Sequence, residues 1–174
     1  MSDPFEGLDD NLDHGADESP QTMQGLFDNA IAARQFMRAG NATVTLVSKA
    51  SGTRFTFRIS EARDKTTGKR TGDGTLFVGL LAGADNNNDY RYMGRIARDV
   101  YWHGRRVPKP TDVSSEAKSA KAFSWTWRKL MQGELPDVLE VWHEGKCGRC
   151  GRKLTVPSSI ASGFGPECIG KIFG

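Results

Sequence analysis

Residues 42–60 read ATVTLVSKASGTRFTFRIS, and their pattern decides the fold. Two runs rich in β-branched and aromatic residues, ATVTLVS and TRFTFRIS, flank KASG, a turn containing Gly52. In the second run Phe55, Phe57 and Ile59 alternate with Arg54, Thr56 and Arg58. Successive side chains of a strand point to opposite faces, so the apolar residues share one face and the arginines the other. Further on, TLFVGLLAG (75–83) and YRYMGRI (90–96) read as a third and a fourth strand. Tyr90, Tyr92 and Ile96 of the last run alternate with Arg91, Met93 and Arg95. The expected sheet is therefore an antiparallel β-meander, with Arg54, Arg58, Arg91 and Arg95 projecting from the face opposite the core. The loop 61–74 adds Arg63, Lys65, Lys69 and Arg70.

Helices are expected on either side of this meander. Residues 19–40 carry Ser19 as a cap, Pro20 at the first helical position and Gly40 at the end. Met23, Leu26, Phe27, Ala30 and Ile31 fall on one face of that helix at three- and four-residue spacing. Residues 99–114 read as a connector with Pro108 and Pro110. A second helix is expected over 114–133. Ser114 caps it, Glu116 lies in its first turn, and Phe123, Trp127, Leu130 and Met131 form its buried stripe. Arg128 and Lys129 lie in its last turn, and Gly133 stops it. The predicted fold class is α+β: an antiparallel meander packed with one or two helices, followed by a small C-terminal module that the cysteines below define. The division is an acidic arm at 1–18, an α+β domain at 19–138 and the module at 139–174.

Composition bounds the rest. The chain has 174 residues, 37% hydrophobic, and no run approaches a membrane span. The N-terminus lacks a charged-then-apolar signal, so the expected location is the cytoplasm. Residues 1–28 hold eight acids and no Lys or Arg, which leaves 24 basic and 13 acidic residues in the remainder, net +11. Residues 1–18 are polar and without periodicity, and their composition predicts disorder. An acidic arm on a basic body points to a polyanion or an acidic partner.

All three cysteines lie in residues 141–170, VWHEGKCGRCGRKLTVPSSIASGFGPECIG. Cys147 and Cys150 stand as C-x2-C with a glycine after each, a turn from which two thiolates grip one metal. Cys168 follows GFGP, where Gly165 and Pro166 start a short helix. The first turn of a helix favours thiolate. Three clustered cysteines without an export signal favour metal over disulfides. Zinc takes four ligands, and His143, four residues before Cys147, is the expected fourth. Glu144 and Glu167 are poorer matches to a thiolate-rich site. A redox use of C-x2-C needs a thioredoxin-like context that is missing here.

The run CGRCGRKLTVPSSIASGFGPEC resembles a zinc-binding-type domain of unknown function at the C-terminus of many bacteriophage and bacterial proteins. The matching elements are Cys147, Cys150, Gly151, Arg152, Leu154, Thr155, Pro157, Ser159, Ile160, Gly163, Gly165, Pro166 and Cys168. The resemblance implies a Zn2+ site and a phage or bacterial setting. It implies no activity.

The functional expectation is a small zinc-binding accessory protein that binds nucleic acid non-specifically. Arg54, Arg58, Arg91, Arg95, Arg149, Arg152 and Lys153 would contact phosphate. Tyr101, Trp102, His103, Arg105 and Arg106 interleave aromatic and basic residues, a pattern that suits either single-stranded nucleic acid or a loop packed on the core. Asp85 and Asp89 with Asn86 to Asn88 read as a turn, not as a cation site. No set of side chains composes a catalytic constellation, so an enzyme is not expected, nor a small-molecule substrate or a membrane partner. The alternative is a protein-interaction module or inhibitor of a host protein or defence system, with the acidic arm imitating nucleic acid.

Overall fold

The computed structural model describes residues 25–173. The expected disordered arm, and Ser19, Pro20 and Met23 of the expected first helix, lie outside the described residues. The described chain is an antiparallel α+β structure. Its strands are β1 (Asn41–Ser48), β2 (Arg54–Glu61), β3 (Leu76–Leu81), β4 (Tyr90–Ala97), β5 (Val100–His103) and β6 (Leu139–His143). They form one six-stranded sheet in the order β5-β4-β3-β2-β1-β6. The helices are α1 (Ala30–Met37), α2 (Lys118–Met131), α3 (Pro157–Ser162) and α4 (Pro166–Phe173).

Two strands extend the expected meander. β5 forms a hairpin with β4 across Arg98 and Asp99, whose φ angles are 50° and 63°. A two-residue hairpin loop needs this left-handed pair, and glycine or asparagine usually supplies it. Here Asp99 is held instead, by Arg38 at 3.1 Å and by the Trp127 indole N–H on its carbonyl at 2.9 Å. β6 pairs with β1 at the opposite edge, so the expected boundary before residue 139 separates a strand from its own sheet. Residues 25–27 run along the free side of β6: Phe27 N–H bonds to Val141 O, and His143 N–H to Gly25 O. Backbone pairing there replaces the helix expected over this stretch. α1 starts only at Ala30, where the Asn29 side chain accepts from Ala32 N–H at 2.8 Å. The shift turns Ile31 to solvent while Phe27, Ala30, Ala33, Phe36 and Met37 are buried.

α2 carries the chain from the β5 edge to the β6 edge. Its 14 residues span about 21 Å, close to the ~24 Å width of six strands. The helix begins at Lys118; Ser114 instead makes a preceding turn, accepting from the Glu116 and Ala117 amides. Phe123 is central. It meets Phe57 at 4.9 Å and Tyr101 at 5.0 Å, and it stacks on Trp127. Met131 is half-buried, at the margin of the stripe. α1 and α2 thus cover one face of the sheet, lined by Val44, Leu46, Phe57, Ile59, Val78, Met93 and Val141.

β4 departs from the expected alternation. Its register with β3 shifts between Val78 and Gly79: Val78 pairs with Gly94 but Gly79 with Tyr92, so Met93 is an extra residue. A bulge changes which face the following residues occupy. Arg91, opposite Leu80, therefore lies on the helix-covered side, while Arg95, opposite Phe77, lies on the open side. The expected set of four arginines on one face is corrected to three: Arg54, Arg58 and Arg95.

Phe36 of α1 joins the sheet to the C-terminal segment. Its ring lies 5.2 Å from Phe27, 5.2 Å from His143 and 5.9 Å from Phe164. A Cβ on Gly148 or Gly163 would stand 2.7 or 2.4 Å from Phe36 Cδ2, so both positions exclude any side chain. Replacing Phe36 with Ala should cost about 3–5 kcal/mol of stability, read as a fall in the denaturant midpoint. A loss below 1 kcal/mol would show that the C-terminal segment does not depend on this contact.

Candidate metal centre

β6 ends at His143, and the chain turns back through the bridge Lys146↔Lys153. The hairpin tip is Cys147-Gly148-Arg149-Cys150-Gly151. Gly151 N–H bonds to Cys147 O at 2.9 Å with Gly151 at φ 77°, and Cys147 N–H bonds to Arg152 O at 2.8 Å. The two glycines that follow the cysteines have different causes. Gly151 closes the turn; Gly148 makes room for Phe36. α3 ends in left-handed Gly163, and α4 starts at Pro166 and carries Cys168 in its first turn. Gly148 N–H to Gly163 O, 3.0 Å, ties the hairpin to the approach of α4.

These connections bring Cys147, Cys150 and Cys168 together, with sulfurs all within 4.8 Å of one another. Zn–S bonds of about 2.3 Å in a tetrahedron place sulfurs about 3.8 Å apart, so three thiolates fit one soft metal ion here. Cys147 and Cys168 are buried and Cys150 is exposed. Burial pushes the Cys147 thiol up, but the N–H groups of Cys150, Gly165 and Arg149 outweigh it and bring the group down to about 7. Burial, aided by the two neighbouring thiols, pushes Cys168 up to about 11. Amides aimed at a sulfur are the usual setting of a metal-binding thiolate.

His143 is not part of this cluster. Its Nε2–H donates to Ile160 O at 2.6 Å and its Nδ1 accepts from Gly145 N–H at 3.0 Å. Both ring nitrogens are thus occupied by backbone, and the ring packs against Phe27 and Phe36. The expectation of a fourth ligand gives way to a buried histidine that fastens α3 to β6. Burial lowers its pKa, although the Ile160 carbonyl acts in the opposite sense. Glu144 and Glu167 are engaged with Lys146 at 3.5 Å and Arg152 at 3.8 Å.

The expected phosphate-contacting residues divide. Arg54 and Arg95 lie on the open face of the sheet and form no ion pair among the described residues. Arg58 is committed to the β3–β4 loop, donating to Asn87 O at 2.8 Å and Asn86 O at 3.4 Å while lying 4.0 Å above the Tyr90 ring. That loop is the expected turn: Asp85 accepts from Asn87 N–H and the Asn88 amide. Arg91 is on the other face. Arg152 and Lys153 are exposed beside the cysteine turn, and Arg149 is half-buried, its carbonyl accepting from Arg70. Arg70 also bonds to Ala39 O at 3.2 Å and Glu61 at 3.0 Å. It links sheet, helix and cysteine turn, a role that the charge count of its loop could not disclose. His103 is held by Tyr101 and by Val113 O, both at 2.9 Å. Arg105 pairs with Asp112 at 2.7 Å.

Residues 138–173 match the model of a family described only as a family of unknown function (DUF6011). The match runs from the start of β6 through α4 and leaves out the rest of the sheet. No curated protein and no solved structure matches the chain. Among the described residues, no helix is long and apolar enough to cross a membrane.

Replacing His143 with Ala should leave the metal-to-protein ratio unchanged while lowering the melting temperature. Loss of bound metal without loss of stability would restore His143 as a ligand. The pH dependence has a definite sign. With its folded pKa below the unfolded value of about 6.5, His143 takes up protons more readily in the unfolded chain. Its contribution is complete above pH ~6.5 and is lost as pH falls from there through the folded pKa. Denaturation at pH 7.5 and 5.5 should therefore show a decline that His143→Ala reduces.

Proposed function

We propose that this protein is a zinc-stabilised, non-enzymatic accessory protein of a phage or bacterium that binds nucleic acid through basic surfaces in the cytoplasm. The observation that carries the reading is the open sheet face. Helices cover the other side, and among the described residues Arg54 and Arg95 stand here without a carboxylate partner. Glu140, which accepts from the Trp142 indole, is the one acidic strand residue on this face among the described residues. The net charge of +11 outside residues 1–28 supports a polyanionic partner. Arg152 and Lys153 extend the positive surface beside the cysteine turn.

The metal on this reading is Zn2+, held by Cys147, Cys150 and Cys168, with a fourth ligand from outside the cysteine set. Its work is structural. Residues 144–173 bury Cys147, Leu154, Phe164 and Cys168 but little other apolar surface. A structural zinc can supply on the order of 10 kcal/mol to so small a unit. Elemental analysis of protein purified without added metal should find about one zinc per chain, and chelation should lower the melting temperature. A metal-free chain with the holo melting temperature would refute the structural role.

Binding to DNA or RNA should weaken steeply as salt rises, because phosphate contacts release counterions. Arg54→Ala and Arg95→Ala should each lower the salt slope by about one unit, and Arg91→Ala should not. Deleting residues 1–18 should tighten binding, since their acids compete for the same surface. An arm-deleted protein that binds no DNA or RNA at micromolar concentration and low salt would refute the reading. The alternative, docking to a host protein, draws on the exposure of Phe77, Val100 and Trp102 on this same face.

A further inference from the structure

The pairing registers set Asn41, Ser60, Phe77, Arg95 and Trp102 in one row across β1, β2, β3, β4 and β5. All five belong to the open face. The row starts at the cysteine turn, where Asn41 N–H bonds to Gly148 O at 2.9 Å, and runs about 19 Å to the β5 edge. Phe77 is 41% exposed and Trp102 55% exposed, on either side of Arg95. Large apolar rings so placed carry no core function, and neighbouring exposed aromatics mark a binding surface.

The surrounding rings differ in one respect. Arg58 lies over Tyr90, and Arg105 lies 4.1 Å above Tyr92. Tyr92 also supports Phe77 from the side, with ring centroids 6.2 Å apart. Among the described residues Trp102 has no ring or cation partner, and the guanidinium of Arg95 is in no ion pair. An aromatic–arginine–aromatic row presents two π surfaces and a planar cation to the same ligand. Such a ligand needs flat aromatic groups joined by negative charge. A single nucleic-acid strand has both, with unpaired bases free to stack. A duplex hides its base faces and can use only the charge.

We propose that the open face of the sheet is a stacking platform for single-stranded nucleic acid, with Phe77 and Trp102 receiving bases and Arg95 a phosphate or base between them. The proposal rests on the nucleic-acid reading above and narrows it to one strand state and one row of side chains. A protein partner would also cover Phe77 and Trp102, but it would leave the arginine excess of the face unanswered.

The test is fluorescence anisotropy at low salt with a labelled thymidine 12-mer and a 12-base-pair duplex. The full chain is compared with Trp102→Ala, Phe77→Ala, Arg95→Lys and Arg54→Ala. All four positions are on the exposed face, and circular dichroism checks that each variant is folded. The single strand should bind more tightly than the duplex. Trp102→Ala and Phe77→Ala should each weaken single-strand binding roughly tenfold, leave duplex binding within about twofold, and leave the salt slope unchanged. Arg95→Lys should keep the salt slope but lose affinity for the single strand, whereas Arg54→Ala should lower the slope for both. Equal affinity for strand and duplex, or wild-type strand binding by both aromatic variants, would overturn the platform while the basic-surface reading stands. Binding of neither nucleic acid would overturn both.

Discussion

The ring of Phe36 fills the space where α1, the end of β6 and the cysteine hairpin converge. That contact gives apolar support to a segment otherwise joined to the sheet by hydrogen bonds, among them Asn41 N–H to Gly148 O, Arg70 to Arg149 O and His143 to Ile160 O. Gly148 and Gly163 are the complement of the ring. A close-packed junction leaves no room for a Cβ at either position, so backbone and ring meet directly. His143 belongs to the same junction, its two nitrogens joining β6 to α3 and to the hairpin. The three sulfurs therefore converge on a base set by the hydrophobic core. A metal bound there would tighten an arrangement whose parts the core already brings together.

The crossing of α2 has a second consequence. A helix that returns the chain from one sheet edge to the other must lie on one face, and α1 joins it there. All of the large apolar strand residues that these helices need are supplied by one side of the sheet. The other side is released from packing and holds residues that a core would not tolerate: Arg54, Arg58 and Arg95 among Phe77, Tyr90, Tyr92 and Trp102. Arg58 and Arg105 spend their charge holding a loop and an aspartate. What remains available to a ligand is thus smaller and more local than the net charge of the body suggests.

Backbone pairing accounts for the features that lie at the sheet margins. Residues 25–27 cover the free side of β6, which would otherwise present unpaired N–H and C=O groups. At the far edge β5 is short and carries Trp102 and Val100 outward. The two edges therefore differ in chemistry: one is closed by the chain itself, the other ends the aromatic row.

Alternation in residues 42–60 was enough to assign β1 and β2, their hairpin and the faces of Phe57 and Arg58, because period-two patterning is a local property. The same held for the body of α2, with Gly133 as its stop. The spacing of Cys147, Cys150 and Cys168 around glycines and Pro166 likewise made the three-thiol cluster legible. Where long-range contacts compete with local preference, sequence fell short. The stretch 25–29 has helical periodicity, but the edge of β6 offers it backbone partners and wins. Arg98 and Asp99 make a hairpin without a turn residue that announces one, since tertiary contacts hold Asp99, so β5 stayed hidden. The extra Met93 moved Arg91 to the opposite face from Arg95, and only strand register could reveal it. His143 had the right type and spacing for a ligand. Its side chain was claimed by the Ile160 carbonyl and the Gly145 amide, because a buried imidazole must have both nitrogens satisfied where the fold puts it.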